Sequence, residues 1–490
     1  MAMKKPFIKL FRTPNAKYCF DVNKHEFLEV SDESFEYLYN LMTEDDFSDE
    51  SRKMPEEFES FIVSGYFSDE SAIEKIQHPY SDIISTFLDR KLIQITLQLT
   101  QDCNLRCTYC VYTESENEES RQRGHTKQKM CWETAKKAVD FLWEHSVDSP
   151  RVNVGFYGGE PLLEFSLLQQ IVSYCVERFS GKKLTFSVTT NGTLLTDEII
   201  DYFAKHDIPV MISLDGPKEI NDKNRVFVDG SGTFDTIMSN IRRVKEIAPA
   251  FSEKLQVNMV MDPENDFDCI NSICLKDNDL EKLAISATVV EHDYKDTTAA
   301  YSEAYLSKME YQLFLALLAR FNRISDTKIS PISNSFVGSI WEKITRLDLT
   351  PGLRVVDVPS GPCISGQMRL FVDVDGQFFP CERVSEKSEA MKIGNLNNGF
   401  DYGKVVRQLE IGKMTEDICK NCWCIRHCEL CVKKADDGSG ILSAERKLSF
   451  CKGVEASVYE NMRYYLLFNE IPFFYQQQTC AKDDKGGITV

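Results

Sequence analysis

Long apolar runs are missing from this chain. No stretch reaches the roughly 18 residues that a membrane-spanning helix needs, so no span is expected. The opening Met1-Ala2-Met3-Lys4-Lys5-Pro6 leads into no apolar signal core, so no secretion signal and a cytoplasmic location are expected. Charge of one sign never gathers into a long block, although the net charge is −19. That balance argues against non-specific nucleic-acid binding and for a well-solvated surface. Internal repeats and low-complexity tracts are also lacking. Cysteine, by contrast, is plentiful: 17 in 490 residues. Clustered cysteines in a chain without a secretion signal read as metal ligands, not as a disulfide framework. The length allows two to four domains with ample core.

The most informative cluster is Cys103-Asn104-Leu105-Arg106-Cys107-Thr108-Tyr109-Cys110, directly after an apolar strand expected at 93–99. Three thiolates in one short loop can hold three irons of a four-iron cluster. The fourth iron is then open to a small-molecule chelator. Ordinary electron-carrier clusters take four cysteines, and structural zinc sites also close with four ligands. No fourth partner stands near at finger spacing. The spacing C-x3-C-x2-C, with Tyr109 before the last cysteine, resembles the signature of the radical S-adenosylmethionine (radical SAM) enzymes.

From about 92 to 297, strands and helices alternate. Strands are expected at 93–99, 152–157, 184–189, 209–214, 256–261 and 284–290, with helical patterns between most of them. In Trp132 to His145, for example, Ala135, Ala138, Val139, Leu142 and Trp143 follow the 3.6-residue period. Six such repeats predict an α/β fold whose parallel sheet curls into a partial (β/α)6 TIM-like barrel, too short to close and open on one side. Residues 1–78 form a separate α+β unit. It has short alternating strands, a helix N-capped by Ser31 with Phe35, Leu38 and Leu41 on one face, a second helix from Pro55 to Ile62, and a strand at Gly65-Tyr66-Phe67. This unit resembles the winged-helix elements that recognise leader peptides; an inert accessory domain is the alternative. A helical bridge spans 298–362, with Tyr305, Met309, Leu313, Leu317 and Phe321 as a core-packing stripe. A Cys-rich domain spans 363–451, a final helix 452–475 and a disordered tail 476–490.

The resemblance extends to further motifs, and what they hold is implied by it. Gly158-Gly159-Glu160-Pro161, at the end of the second barrel strand, looks like the motif that holds the SAM amino group; a tight strand-to-helix turn is the alternative. Asn191, in Thr189-Thr190-Asn191-Gly192-Thr193, matches polar residues near the SAM ribose and carboxylate, with an Asn-Gly turn as the alternative, and Ser213 matches a residue that contacts the carboxylate. Arg225 suits that carboxylate through bidentate bonding, the alternative being a solvated loop charge. Asp215 is a SAM-site or a structural residue. Tyr109 completes the cofactor-binding candidates. The resemblance further implies that SAM chelates the open iron and is cleaved by one electron to a 5′-deoxyadenosyl radical, which takes an unactivated hydrogen.

A second cysteine system follows. Cys363-x12-Gly376-x4-Cys381 encloses a hairpin with an Asp375-Gly376 turn, and Cys419, Cys422, Cys424, Cys428, Cys431 and Cys451 come after it. This resembles the SPASM extension of peptide- and protein-modifying radical SAM enzymes, which holds two auxiliary 4Fe–4S clusters. By that resemblance Cys419, Cys422, Cys428 and Cys451 bind the distal cluster, and Cys363, Cys381 and Cys431 the proximal one. Cys424 is an extra thiol, either the fourth proximal ligand or free, and the x2 spacing before Cys431 departs from the more usual x3. Pairs of C-x2-C also build zinc ribbons. Glu382 is a candidate base, or a carboxylate on a solvated turn. Cys19, Cys131, Cys175, Cys269, Cys274 and Cys480 lack ligand spacing, and most are expected to be small buried hydrophobes.

The expected cofactors are therefore SAM and three 4Fe–4S clusters. The expected activity is radical SAM maturation of a ribosomally made, Cys-rich precursor peptide by Cys sulfur-to-carbon thioether crosslinks. The expected partners are that peptide with its leader and an external electron donor such as flavodoxin or ferredoxin, with no nucleic acid and no membrane. Formylglycine-forming sulfatase maturation, carbon–carbon crosslinking and plain multi-cluster electron transfer are the rivals.

Overall fold

A computed structural model of the chain describes residues 4–43, 54–110, 112, 124–276, 279–280, 283–290, 300–325, 329–347 and 350–470. The N-terminal unit is an antiparallel meander of β1 (Ile8–Arg12), β2 (Lys17–Asp21) and β3 (Glu26–Val30), backed by the helices Asp32–Thr43 and Glu57–Val63. Ile8, Cys19, Val30, Phe35, Leu38, Phe58 and Phe67 close its core. The strand expected at Gly65-Tyr66-Phe67 does not form. Phe67 instead sits at φ +63°, and its N–H donates to the buried Asp21 carboxylate at 2.8 Å. That bond takes the amide a neighbouring strand would have used.

A short β4 (Lys75–Ile76) leads to β5 (Gln94–Thr100), whose residues from Ile95 to Thr100 are all buried. Strands buried on both faces are what a parallel sheet under helices requires. β6 (Arg151–Gly158), β7 (Lys183–Thr190), β8 (Val210–Ser213), β9 (Leu255–Met261) and β10 (Ala284–Val289) follow in parallel, each pairing with the one before it. Each matches an expected strand to within a residue or two. Among the described residues β10 pairs only with β9, so the sheet stays open on that side.

The other edge is covered in a way the sequence did not suggest. β11 (Val356–Asp357) pairs with β4, but β12 (Leu370–Val372) runs parallel to β5 and joins the barrel sheet. β13 (Gln377–Phe379), β14 (Gly394–Asn395) and β15 (Gly399–Phe400) continue it to ten strands. The hairpin of the Cys-rich region therefore shares one hydrophobic core with the barrel through Leu370, Val372, Phe378 and Phe400. Trp143, expected on the buried stripe, lies outward with the Arg178 guanidinium 3.9 Å from its ring centre, and Phe141 takes the inner place.

Helices Glu303–Arg320 and Pro331–Thr345 bridge the barrel to a long final helix, Cys451–Glu470. The N-terminal unit docks on that helix. Phe11 stacks on Tyr459 at 4.6 Å, Phe27 on Tyr465 at 5.6 Å, and Glu470 accepts from Asn15 and the Tyr18 hydroxyl. The expected tail at 476–490, with Cys480, lies outside the described residues. Among the described residues no helix is long and apolar enough to cross a membrane.

Candidate active site

β5 reaches the three-cysteine loop through a bulge. Its register against β6 shifts between Gln98 and Thr100, and such irregularities re-aim a chain next to a site. The loop is then sewn to residues 224–227. Arg106 N–H donates to Val226 O at 2.8 Å, Thr108 N–H to Asn224 O at 3.0 Å, and Leu105 bridges Phe227. The Cys103 N–H donates to Asp102 Oδ1 at 2.9 Å. Cys103, Cys107 and Cys110 lie within electrostatic reach of one another. Burial pushes the thiols of Cys103 and Cys107 up to about 12, and at Cys107 the Arg225 charge opposes that rise.

Gly158 and Gly159 serve a close approach of chain to chain. Gly158 has φ +149°, and a Cβ there would strike the Thr100 carbonyl; one at Gly159 would strike the Asp102 carbonyl. Their absence lets Gly159 N–H donate to Thr100 O at 2.8 Å and Glu160 N–H to Asp102 O at 2.9 Å. Glu160 is 0% exposed. Its oxygens accept from Leu162 N–H at 3.0 Å, the Thr190 hydroxyl at 2.8 Å and Asn191 N–H at 2.7 Å. Burial raises it to about 7 against those three bonds. Glu160 thus clamps the ends of β6 and β7. Pro161, itself buried, opens a 3-10 turn behind it. Asn191 Nδ2 donates to Asn104 Oδ1 at 2.8 Å and lies 3.8 Å from Cys103 Sγ, which brings the third strand's end onto the cysteine loop.

Arg225 is no solvated loop charge. It is 7% exposed and its Nε lies 3.0 Å from Asp215 Oδ2, an atom that also accepts from the Tyr109 hydroxyl. Val260 N–H donates to Asp215 Oδ1 at 3.1 Å. Asp215 therefore anchors the arginine, the loop tyrosine and β9 at once, which gives it a structural part. Ser213 is buried at the end of β8 in register with Asn258.

The remaining cysteines fall into two groups. Cys381 feels Cys363 and Cys431, and Cys363 feels Cys431. Cys428 and Cys451 both feel Cys419 and Cys422. Cys424 belongs with the second group, its sulfur 3.5 Å from that of Cys422 and within reach of Cys428. Among the described residues no three ligating side chains converge on a single metal ion. Thiols spread around a wider centre are what an iron–sulfur cube takes, and all-sulfur donor sets suit iron–sulfur groups or zinc. Glu382 is not on a solvated turn: its side chain is 17% exposed and meets Arg369 at 2.8 Å. Of the cysteines outside the pattern, Cys19, Cys175 and Cys274 are buried, Cys131 is exposed and Cys269 half-buried.

Sequence reasoning missed Asp102, Asn104, Thr190 and Lys447. Asn104 stood within the motif itself and was readable. Thr190 acts through its hydroxyl on the Glu160 carboxylate and Asp102 through its carbonyl on the Glu160 N–H, contacts between distant segments that no local pattern signals. Lys447 is a fully buried lysine, a residue type whose ordinary place is the surface.

Residues 97–273 match the Radical SAM superfamily. An uncharacterised protein of Methanocaldococcus jannaschii is 36% identical over 144 residues, 29% of this chain and 46% of that protein. A cysteine-type anaerobic sulfatase-maturating enzyme of Clostridium novyi is 24% identical over 344 residues, 68% of this chain and 85% of that enzyme. The chain thus spans less than half of the first relative and most of the second. The structure of native anSMEcpe with bound AdoMet superposes with a TM-score of 0.52 at 19% identity, covering 76% of this chain and 99% of that one. That likeness is one of fold: an α/β protein on a large, mainly parallel sheet.

Proposed function

With a radical SAM domain over residues 97–273 as the premise, we propose that this chain is a maturase that modifies a ribosomally made, Cys-rich precursor peptide by sulfur-to-carbon thioether bonds. Cys103, Cys107 and Cys110 would hold a 4Fe–4S cluster with one iron left for SAM. When bound, that pair supplies a carbon-centred radical able to take an unactivated hydrogen. The chain's own residues set the stage. Glu160 fixes the β6 and β7 ends that would line the cofactor, and the Asp215–Arg225 pair holds the cysteine loop against residues 224–227. Asn191, Ser213 and Arg225 are the candidates for contacting SAM. Cys363, Cys381 and Cys431 on one side, and Cys419, Cys422, Cys428 and Cys451 on the other, would hold two auxiliary clusters. Glu382, tied to Arg369, would act as a base only after that ion pair opens.

The observation that carries the peptide reading is the N-terminal unit. Among the described residues β3 is an edge strand, paired only to β2. It borders a cavity of about 730 Å³ lined by Tyr18, Phe27, Glu29, Tyr465 and Glu470, among others. An extended leader can add to such an edge and place side chains in the cavity. A second reading, formylglycine formation in a sulfatase, is favoured by the sulfatase-maturating relative.

Co-expression with a small Cys-rich peptide encoded nearby, followed by mass spectrometry, tests the choice. The expected product has lost two hydrogens per thioether and carries the crosslink at Cys. Formylglycine at a single Cys or Ser would establish the second reading. A peptide that neither binds nor changes would overturn the first. An external flavodoxin or ferredoxin is the proposed electron donor, and iron and sulfide analysis near 12 irons per chain would match three cubes.

A further inference from the structure

Lys447 is 2% exposed, yet it is a lysine. It sits in the short helix Ala444–Ser449, four residues before Cys451. Its Nζ donates to the Thr415 hydroxyl at 2.5 Å and to Cys419 Sγ at 3.2 Å. Among the described residues no carboxylate forms an ion pair with it. A buried ammonium without a counter-charge costs several kcal/mol. Neutral thiols do not offset that cost; thiolates do.

The surroundings supply those thiolates in potential. Beyond Cys419, the Lys447 charge reaches Cys422, Cys428 and Cys451. One cation therefore faces four sulfurs: Cys419 by hydrogen bond, and Cys422, Cys428 and Cys451 through space. Half-buried Glu455 is the charge that acts against it on Cys422 and Cys451. Net charge and hydrogen bonds to sulfur are two of the factors that set an iron–sulfur potential.

We propose that Lys447 is a positioning residue that compensates the thiolate charge of the second cysteine group and raises the potential at which an iron–sulfur cluster there accepts one electron. This rests on the iron–sulfur reading of that group. Hydrogen bonding and positive charge both favour the reduced, more negative form, so the site is tuned to receive electrons more readily than its four thiolates alone would allow.

The test is a mediator-equilibrated reductive titration of the anaerobically reconstituted full chain with dithionite, followed by electron paramagnetic resonance. It compares wild type, Lys447→Met and Lys447→Arg after iron and sulfide counting. Equal iron counts are expected, with the reduced-to-oxidised ratio of one cluster falling at least tenfold at fixed potential in Lys447→Met, about 59 mV for one electron, and largely restored in Lys447→Arg. An unchanged titration with full iron overturns the role of Lys447 while leaving the cluster reading intact. Only about four irons in wild type, with zinc in place of the auxiliary clusters, overturns the cluster reading itself and the proposal with it. Should Lys447→Met lose iron, Lys447→Gln keeps an N–H donor without the charge; a lowered midpoint there upholds the proposal and a wild-type midpoint rejects it.

Discussion

Burying a guanidinium costs several kcal/mol unless a carboxylate meets it, and at Arg225 that carboxylate is Asp215. Because Asp215 also takes the Tyr109 hydroxyl and the Val260 amide, its removal strands three groups. Asp215→Asn is expected to destabilise by about 3–5 kcal/mol. Asp215→Asn combined with Arg225→Met should lose less than Asp215→Asn alone, because the orphaned charge is gone. Thermal melting of the two variants checks this; a double variant that melts lower than the single one would show that the pair is not the source. A second carboxyl gives a pH signature. Asp373 is buried in the β12–β13 turn and raised to about 7, by burial first and the Glu386 carboxylate in addition, against N–H bonds from Gln377 and Asp375. Its folded value lies above the unfolded 3.8, so folding holds the proton more tightly. The stability this contributes is complete below about pH 4 and is lost as pH climbs to about 7. Asp373→Asn, which keeps the accepting oxygen, should therefore gain on wild type progressively between those limits. The gain is capped at roughly 4 kcal/mol and is constant above pH 7. A melting-temperature difference independent of pH would refute it.

At the scale of elements, the Cys419–Cys431 segment is where reading the chain and seeing it folded part company. The six barrel strands were legible because each is a short apolar run between helical patterns, and parallel strands under helices leave that trace. The three-cysteine loop and the glycine pair were legible as motifs. The work of those glycines was not, since a carbonyl 2 Å from an imagined Cβ belongs to another strand's end. Trp143 was misplaced because it stands about 200° around the helix from Phe141, beyond the opposite flank of the buried arc, and periodicity alone does not fix where that arc ends. The joining of β12 to β5 was hidden for the same kind of reason: a three-residue strand carries too little pattern to say which edge it will pair with. Cys424 illustrates the limit most directly. Counting spacings left it open between a fourth ligand of the Cys363, Cys381 and Cys431 group and a free thiol, whereas its sulfur lies beside Cys422. Cys424→Ala should therefore leave iron at the Cys363, Cys381 and Cys431 group unchanged. Iron analysis in a background lacking Cys103, Cys107 and Cys110 measures it. Loss of iron that is reproduced by Cys363→Ala, and not by Cys419→Ala, would instead make Cys424 a ligand of the first group.

Across the whole molecule, the two ends of the chain meet at the Cys-rich segment. Phe11 of β1 is fully buried between Tyr459 of the final helix and Trp423, the residue between Cys422 and Cys424. His25, in the β2–β3 turn, meets His427 at 2.7 Å, one residue from Cys428. The N-terminal unit is thus not a loosely tethered module. Whatever engages its β3 edge pushes on a surface continuous with a cysteine group. This also qualifies any truncation: deleting residues 1–78 bares Tyr459, Tyr465 and Trp423 together, an apolar patch of the kind that drives aggregation. A point substitution separates coupling from collapse. Phe11→Ala removes the ring that both partners share, at a cost of about 3–5 kcal/mol drawn from this interface and not from the barrel core. Hydrogen exchange should then quicken in three places: β1, the Val458–Leu466 stretch of the final helix and residues 419–428. The amides of β5 to β9 should keep their rates. Quickening confined to β1 and β2 would mean that the N-terminal unit and the Cys-rich segment only touch; quickening in all three would mean that they respond as one body.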